Sequence, residues 1–110
     1  MNVGDAWAFA LSLPQATEEP HFEARSFRVQ GKIFATLPPD HRFLHVFLDL
    51  DRIPAVVASH PEALHELHWG AKLCGVRIDL AAARSEDVEA LLTEAWRRKA
   101  PKRLASPGAS

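Results

Sequence analysis

The sequence predicts an α+β fold: a single compact domain in which an antiparallel β-sheet carries a helix from each end of the chain. Three observations predict it. Apolar residues recur at helical spacing near both ends, and strictly alternating runs fill the middle. Between them, a Gln30-Gly31 pair joins two stretches rich in aromatic and β-branched residues. The 110 residues, 47% hydrophobic and 25% charged, have an ordinary globular composition. A chain of this length buries roughly two thirds of its unfolded surface. The domain is expected over residues 1–104, with 105–110 a loose tail.

Val3 to Leu13 reads as the first helix. Ala6, Phe9, Ala10 and Leu13 hold helical spacing, Val3, Trp7 and Leu11 widen the stripe, and Pro14 stops it. So broad an apolar face is expected against a sheet. Gln15 to Glu23 is polar, contains Pro20, and reads as a connector. Ser26 to Leu37 reads as a hairpin, with Gly31 at a turn position needing positive φ. A two-residue loop sets Phe27 opposite Phe34 and Arg28 opposite Ile33. Pro38-Pro39-Asp40-His41 is a turn.

Phe43 to Leu50 alternates, with Leu44, Val46, Leu48 and Leu50 on one face. Asp51 is placed to cap a short helix from Arg52 to Ser59, where Pro54 falls in the tolerant first turn. Glu62 to Gly70 fits either an extended stretch or a helical turn, and Gly70 to Gly75 a loop or hairpin tip. Cys74, Val76, Ile78 and Leu80 share one phase of a further strand. Ser85 reads as the N-cap of a helix to Ala100, with Val88, Leu91, Leu92, Ala95 and Trp96 facing inward.

Composition narrows the function. Thirteen Lys and Arg against fourteen Asp and Glu give a formal net charge of −1, so a polyanion partner requires the cations to gather on one side. No apolar run reaches the roughly 18 residues of a membrane span. Met1 to Leu13 holds Asp5 and no basic residue, unlike a secretory signal. Cys74 is the single cysteine and excludes an internal disulfide, so a cytoplasmic setting is expected.

Pro20-His21-Phe22, then Ser26-Phe27-Arg28-Val29, then Gly31-Lys32-Ile33-Phe34-Ala35 resembles the central signature of the MmcQ/YjbR family. Leu13-Pro14, His68-Trp69-Gly70, Val76 to Leu80, Glu94 to Arg97 and Ala100 to Leu104 extend the resemblance, in order, over most of the chain. Members are small bacterial proteins generally described as DNA-binding. The resemblance implies a CyaY-like sheet whose β-hairpins are similar to the double wing of certain transcription factors. One stretch departs: Ala71 to Val76 lacks a tryptophan that members often carry there and is one residue longer.

On that resemblance, Arg28 and Lys32 on the first hairpin and Lys72 and Arg77 about the second are candidates for phosphate contact, since cationic β-ribbons position a protein on duplex DNA. The basic run Arg97, Arg98, Lys102 and Arg103, with Lys99 inside it, is a further candidate, or else complements the helix dipole. Solvent-facing residues of a half-buried sheet are the plainer reading of the hairpin cations. The alternative function is a protein-interaction or regulatory module using an exposed sheet face with Phe43, Phe47 and Trp69.

No catalysis, metal or cofactor is expected. His65-Glu66-Leu67-His68 lacks the His-Glu-x-x-His spacing of helical zinc sites, and Gly31-Lys32 lacks the rest of a phosphate loop. Cys74, on the apolar phase, reads as a small buried hydrophobe. A concave pocket gathering at least two of His21, His65, His68 and Cys74 would favour a small-ligand or enzymatic domain instead. Trp7, Trp69 and Trp96 are expected in or beside the core; Trp69, at a possible sheet edge, alternatively stacks on a base or ligand.

Overall fold

In the computed structural model, which describes residues 1–105, the chain opens with a capped helix. The Asn2 side chain accepts the Asp5 backbone N–H at 2.8 Å, and α1 (Val3–Ser12) runs to the expected stop. The rest of the order is β1 (Ala16–His21), β2 (Ala24–Val29), β3 (Lys32–Leu37), β4 (Phe43–Phe47), α2 (Ile53–Ser59), β5 (Leu64–Trp69), β6 (Lys72–Asp79), α3 (Ser85–Lys99) and a single turn α4 (Lys102–Ala105). The tail expected at 105–110 lies, apart from residue 105, outside the described residues.

The strands form one six-stranded antiparallel sheet in the order β1-β2-β3-β4-β6-β5. Phe27, Val29, Leu37, Leu44, Val46, Val76 and Ile78 point to one face, where α1 supplies Ala6 and Ala10 and α3 supplies Val88, Leu92, Ala95 and Trp96. Two indoles lie here with their N–H groups satisfied, Trp7 on Glu18 Oε1 at 2.7 Å and Trp96 on the Pro14 carbonyl at 2.9 Å. The α+β architecture expected from the sequence is therefore present.

Several local expectations change. The connector at 15–23 is largely strand: β1 is an edge strand, where sheet geometry tolerates Pro20. Gln30 and Gly31 both have positive φ (53° and 77°), as a twisted two-residue hairpin turn requires, and Arg28 does face Ile33. Phe27, however, faces Ala35, because the register steps between Phe27 and Arg28 and leaves Phe34 as the extra residue. β4 ends at Phe47, so Leu50 leaves the apolar face and is 57% exposed. Asp51 does not cap α2, and Ser85 is the first residue of α3 rather than its cap.

The second register step decides where the site lies. His68 faces Leu73 while Leu67 faces Gly75, leaving Cys74 unopposed. This bulge breaks the alternation that put Cys74 inside. The residue is half-buried on the helix-free face, its thiol 3.5 Å from the Leu67 carbonyl.

Candidate functional site

The helix-free face is assembled by register. Glu19, Ser26, Thr36, His45, Arg77 and His65 are successive partners across all six strands and so form one polar row. Arg77 lies over the Phe43 ring with its guanidinium carbon 3.6 Å from the centroid. Burial, seconded by the Arg77 charge, holds the His45 imidazole below its ordinary pKa, so the ring is neutral near pH 7 and offers one donor and one acceptor. Asp79 closes the row's neighbouring edge through Arg42, whose hydrogen bond is the main cause of its lowered pKa.

Beside the row lies a cleft of about 620 Å³, lined by residues that include His21, Phe22, His45, Phe47, Trp69 and Cys74. Its two walls are the turn between β1 and β2 and the end of β5. Phe22 stands at the first with φ of 58° and 91% exposure, its ring against His21 at 4.8 Å. Trp69 stands at the second, 72% exposed, which overturns the expectation of a core tryptophan.

A second cleft, about 590 Å³, shares His21, Thr36, Phe47, Trp69 and Cys74 with the first and continues it to the other end of the sheet. There its lining turns cationic, with Lys72 from β6 and Arg98 and Lys99 from the end of α3. The Lys99 ammonium is held below its ordinary pKa by burial, then by repulsion from Arg98 and Lys32, with Asp49 opposing. Three separate elements, β3, β6 and α3, thus bring positive charge to one place. Arg98 donates to Asp49 Oδ1 at 2.7 Å, the one carboxylate engaged there among the described residues.

The predicted cations separate into groups. Lys32, Lys72 and Arg98 gather at the cationic end, together with Lys99 from the same basic run as Arg98. Arg28 donates to Ser26 Oγ at 3.0 Å and lies 3.6 Å from Glu19 on the sheet face. Arg77 is occupied by Phe43. Arg97 lies on another side of α3, among Glu86, Glu89 and Glu94. Lys102 and Arg103 follow in α4, both exposed.

The clefts also gather His21, His68 and Cys74, so the concave pocket that would favour a small-ligand domain exists. Its chemistry is muted, since burial raises the Cys74 thiol pKa and Lys72 only partly opposes this. His60 is elsewhere, beside Glu62 and Asp87, and the His68–Glu66 pair stands alone at 3.6 Å. Among the described residues no three His, Cys, Asp or Glu groups are arranged to hold a metal, and no helix is long and apolar enough to cross a membrane. Phe22 and His45 were missed as site residues; the only signal for Phe22 was its place between two polar residues at a turn.

The family model described as YjbR matches residues 11–98. Among solved structures, the chain is similar to Deinococcus radiodurans protein DR2400, with the domain description DUF419, at a TM-score of 0.74 and 21% identity. The match covers 88% of this chain and 77% of that one, and at this identity it speaks for the fold alone. Comparison with curated proteins gives no match.

Proposed function

The chain belongs to the YjbR family, and we propose that it is a non-catalytic DNA-binding protein of the cytoplasm that holds phosphates at the cationic end of its sheet. One observation carries the reading: Lys72, Arg98 and Lys99 border a single cleft, with Lys32 close enough to act on Lys99. The hairpin tips Gln30-Gly31 and Gly70-Ala71 stand at this same end and serve as wings. The near-zero net charge is no obstacle. Six arginines are engaged by carboxylates, whereas Lys32, Lys72 and Lys99 are in no ion pair among the described residues.

Fluorescence anisotropy with a labelled 20-mer across a salt series tests this. Four cations facing phosphate give a slope of log affinity on log salt of roughly −3 to −4, a loss of about a hundredfold between 50 and 200 mM salt. Lys72→Glu with Lys99→Glu removes most of the binding. Absence of binding at 50 mM salt, or affinity independent of salt, refutes the proposal. A second reading, a protein-interaction module, is favoured by the exposure of Phe22 and Trp69 about one cleft. Concentration-dependent self-association on size exclusion, without DNA binding, would select it.

A further inference from the structure

Two large aromatic side chains stand in water where folding alone has no use for them. Phe22 is 91% exposed and adopts φ of 58°, a left-handed backbone that a bulky residue takes only with strain. Both the ring and the backbone would be better served by Asn or Gly at this turn. Trp69, 72% exposed, terminates β5 directly before the Gly70 turn. They line one cleft from opposite hairpins, and that cleft adjoins the lysine-lined one, Trp69 belonging to both. Each part, at about 620 and 590 Å³, falls within the roughly 300–1,000 Å³ of ligand-binding clefts.

We infer that this trough binds single-stranded nucleic acid, unpaired bases stacking on Trp69 and Phe22 while the adjoining phosphates lie against Lys72, Lys99 and Arg98. Exposed aromatics alternating with a cationic groove are the means by which proteins hold single strands, because every base presents a π-face and every linkage a charge. Duplex DNA satisfies only half of this surface, since its bases are stacked on one another and closed to the two rings. The largely apolar floor between the rings carries two polar residues that suit base edges. Thr36 and His45 both line the first cleft. The inference rests on the phosphate-binding reading above and specifies which form of DNA the site takes.

The test compares a labelled 20-residue oligothymidylate, the same length of duplex, and thymidine monophosphate at 50 mM salt, by anisotropy for the strands and by tryptophan emission for all three. Trp7 and Trp96 are hydrogen-bonded within the protein, so quenching reports chiefly on Trp69. The expected result is oligothymidylate bound at least tenfold tighter than duplex, with emission quenched. Trp69→Ala and Phe22→Ala each weaken the single strand by about tenfold and leave its salt slope unchanged. Both side chains are exposed, and an unaltered melting temperature confirms that the variants fold. Duplex bound as tightly as single strand, or single-strand affinity indifferent to both substitutions, overturns this inference and leaves the phosphate reading standing. Monophosphate bound as tightly as the oligomer also overturns it, in favour of a free nucleotide. No binding of any of the three defeats both readings.

Discussion

Gly75 is the glycine with the least room for a side chain, and replacing it with alanine tests the close pairing of β4 with β6. An ideal Cβ built there falls 2.1 Å from the Val46 carbonyl oxygen, 3.1 Å from its carbon and 3.2 Å from Phe47 Cα. Real Cβ contacts essentially never fall below 3.0 Å, so β4 and β6 must part locally by about 0.9 Å. An N–H···O bond of roughly 2.9 Å stretched that far is no longer a hydrogen bond. If two ladder bonds flanking the Phe47–Gly75 pair are lost, at about 1 kcal/mol each, overpacking adds about 1–3 kcal/mol more. Gly75→Ala is therefore expected to cost about 3–5 kcal/mol. At roughly 4–8 °C per kcal/mol for a domain of this size, the melting temperature falls by about 12–40 °C.

The assay is thermal and urea unfolding followed by circular dichroism, with Gly31→Ala as the internal standard. At Gly31 nothing lies within 4 Å of an added Cβ, and only the positive φ of 77° resists it. That cost is about 1–2 kcal/mol. The expected order is Gly75→Ala well below Gly31→Ala, with similar urea m-values. Equal melting temperatures for Gly75→Ala and the parent protein would mean that β6 does not approach β4 as described.

Three further outcomes follow from the electrostatics. Asp79 has its pKa lowered chiefly by Arg42, so the stability it contributes is complete above the unfolded carboxylate value of about 3.9 and lost as pH falls through the folded one. Asp79→Asn should thus lower the melting temperature at pH 7, and the difference between the two proteins should close as pH falls through the folded value. Because burial raises the Cys74 pKa, its alkylation by iodoacetamide should be slow at neutral pH and rise steeply in the alkaline range; Lys72→Glu, which removes the opposing cation, should slow it further. Asp49→Asn, which frees Arg98, should tighten DNA binding a few-fold at 50 mM salt and steepen the salt slope, both read by anisotropy.

Periodicity made the helices α1 and α3 and the strand β4 legible, because their apolar faces are wide and continuous. What stayed hidden was each place where one residue slips out of register. Nothing in Phe27 or Phe34 as residue types announces a step between them, yet it replaces Phe34 by Ala35 as the cross-strand partner. The same event at Cys74 turns a presumed core thiol into part of a cleft. β1 was obscured by its own composition, since Thr17, Glu18, Glu19 and Pro20 carry no alternating apolar signal and an edge strand needs little of one. Of the candidate site, Lys32, Lys72 and Arg98 were visible as residue types but not as neighbours. Their meeting depends on β3, β6 and α3 ending at one pole, which is topology and not local pattern.

The arrangement of charge explains how an almost neutral chain acquires such a pole. Its arginines serve as ties between segments: Arg25 and Arg28 from β2 to Glu18 and Glu19 of β1, Arg42 to Asp79 of β6, Arg52 to Glu94 of α3. A planar guanidinium fork suits that work, since it meets a carboxylate with two hydrogen bonds in a fixed geometry, as Arg52 does with Glu94 at 3.0 and 3.1 Å. The lysines at the cationic end are left outside these ties. A compact ammonium on a flexible stem follows a phosphate backbone without demanding one orientation. Counting Lys and Arg together therefore conceals a division of labour. The acidic residues that engage the arginines lie on β1, at the end of β6, along α3 and at Asp49 after β4. The field at the trough is thus set by Lys32, Lys72 and Lys99, with Arg98 partly offset by Asp49.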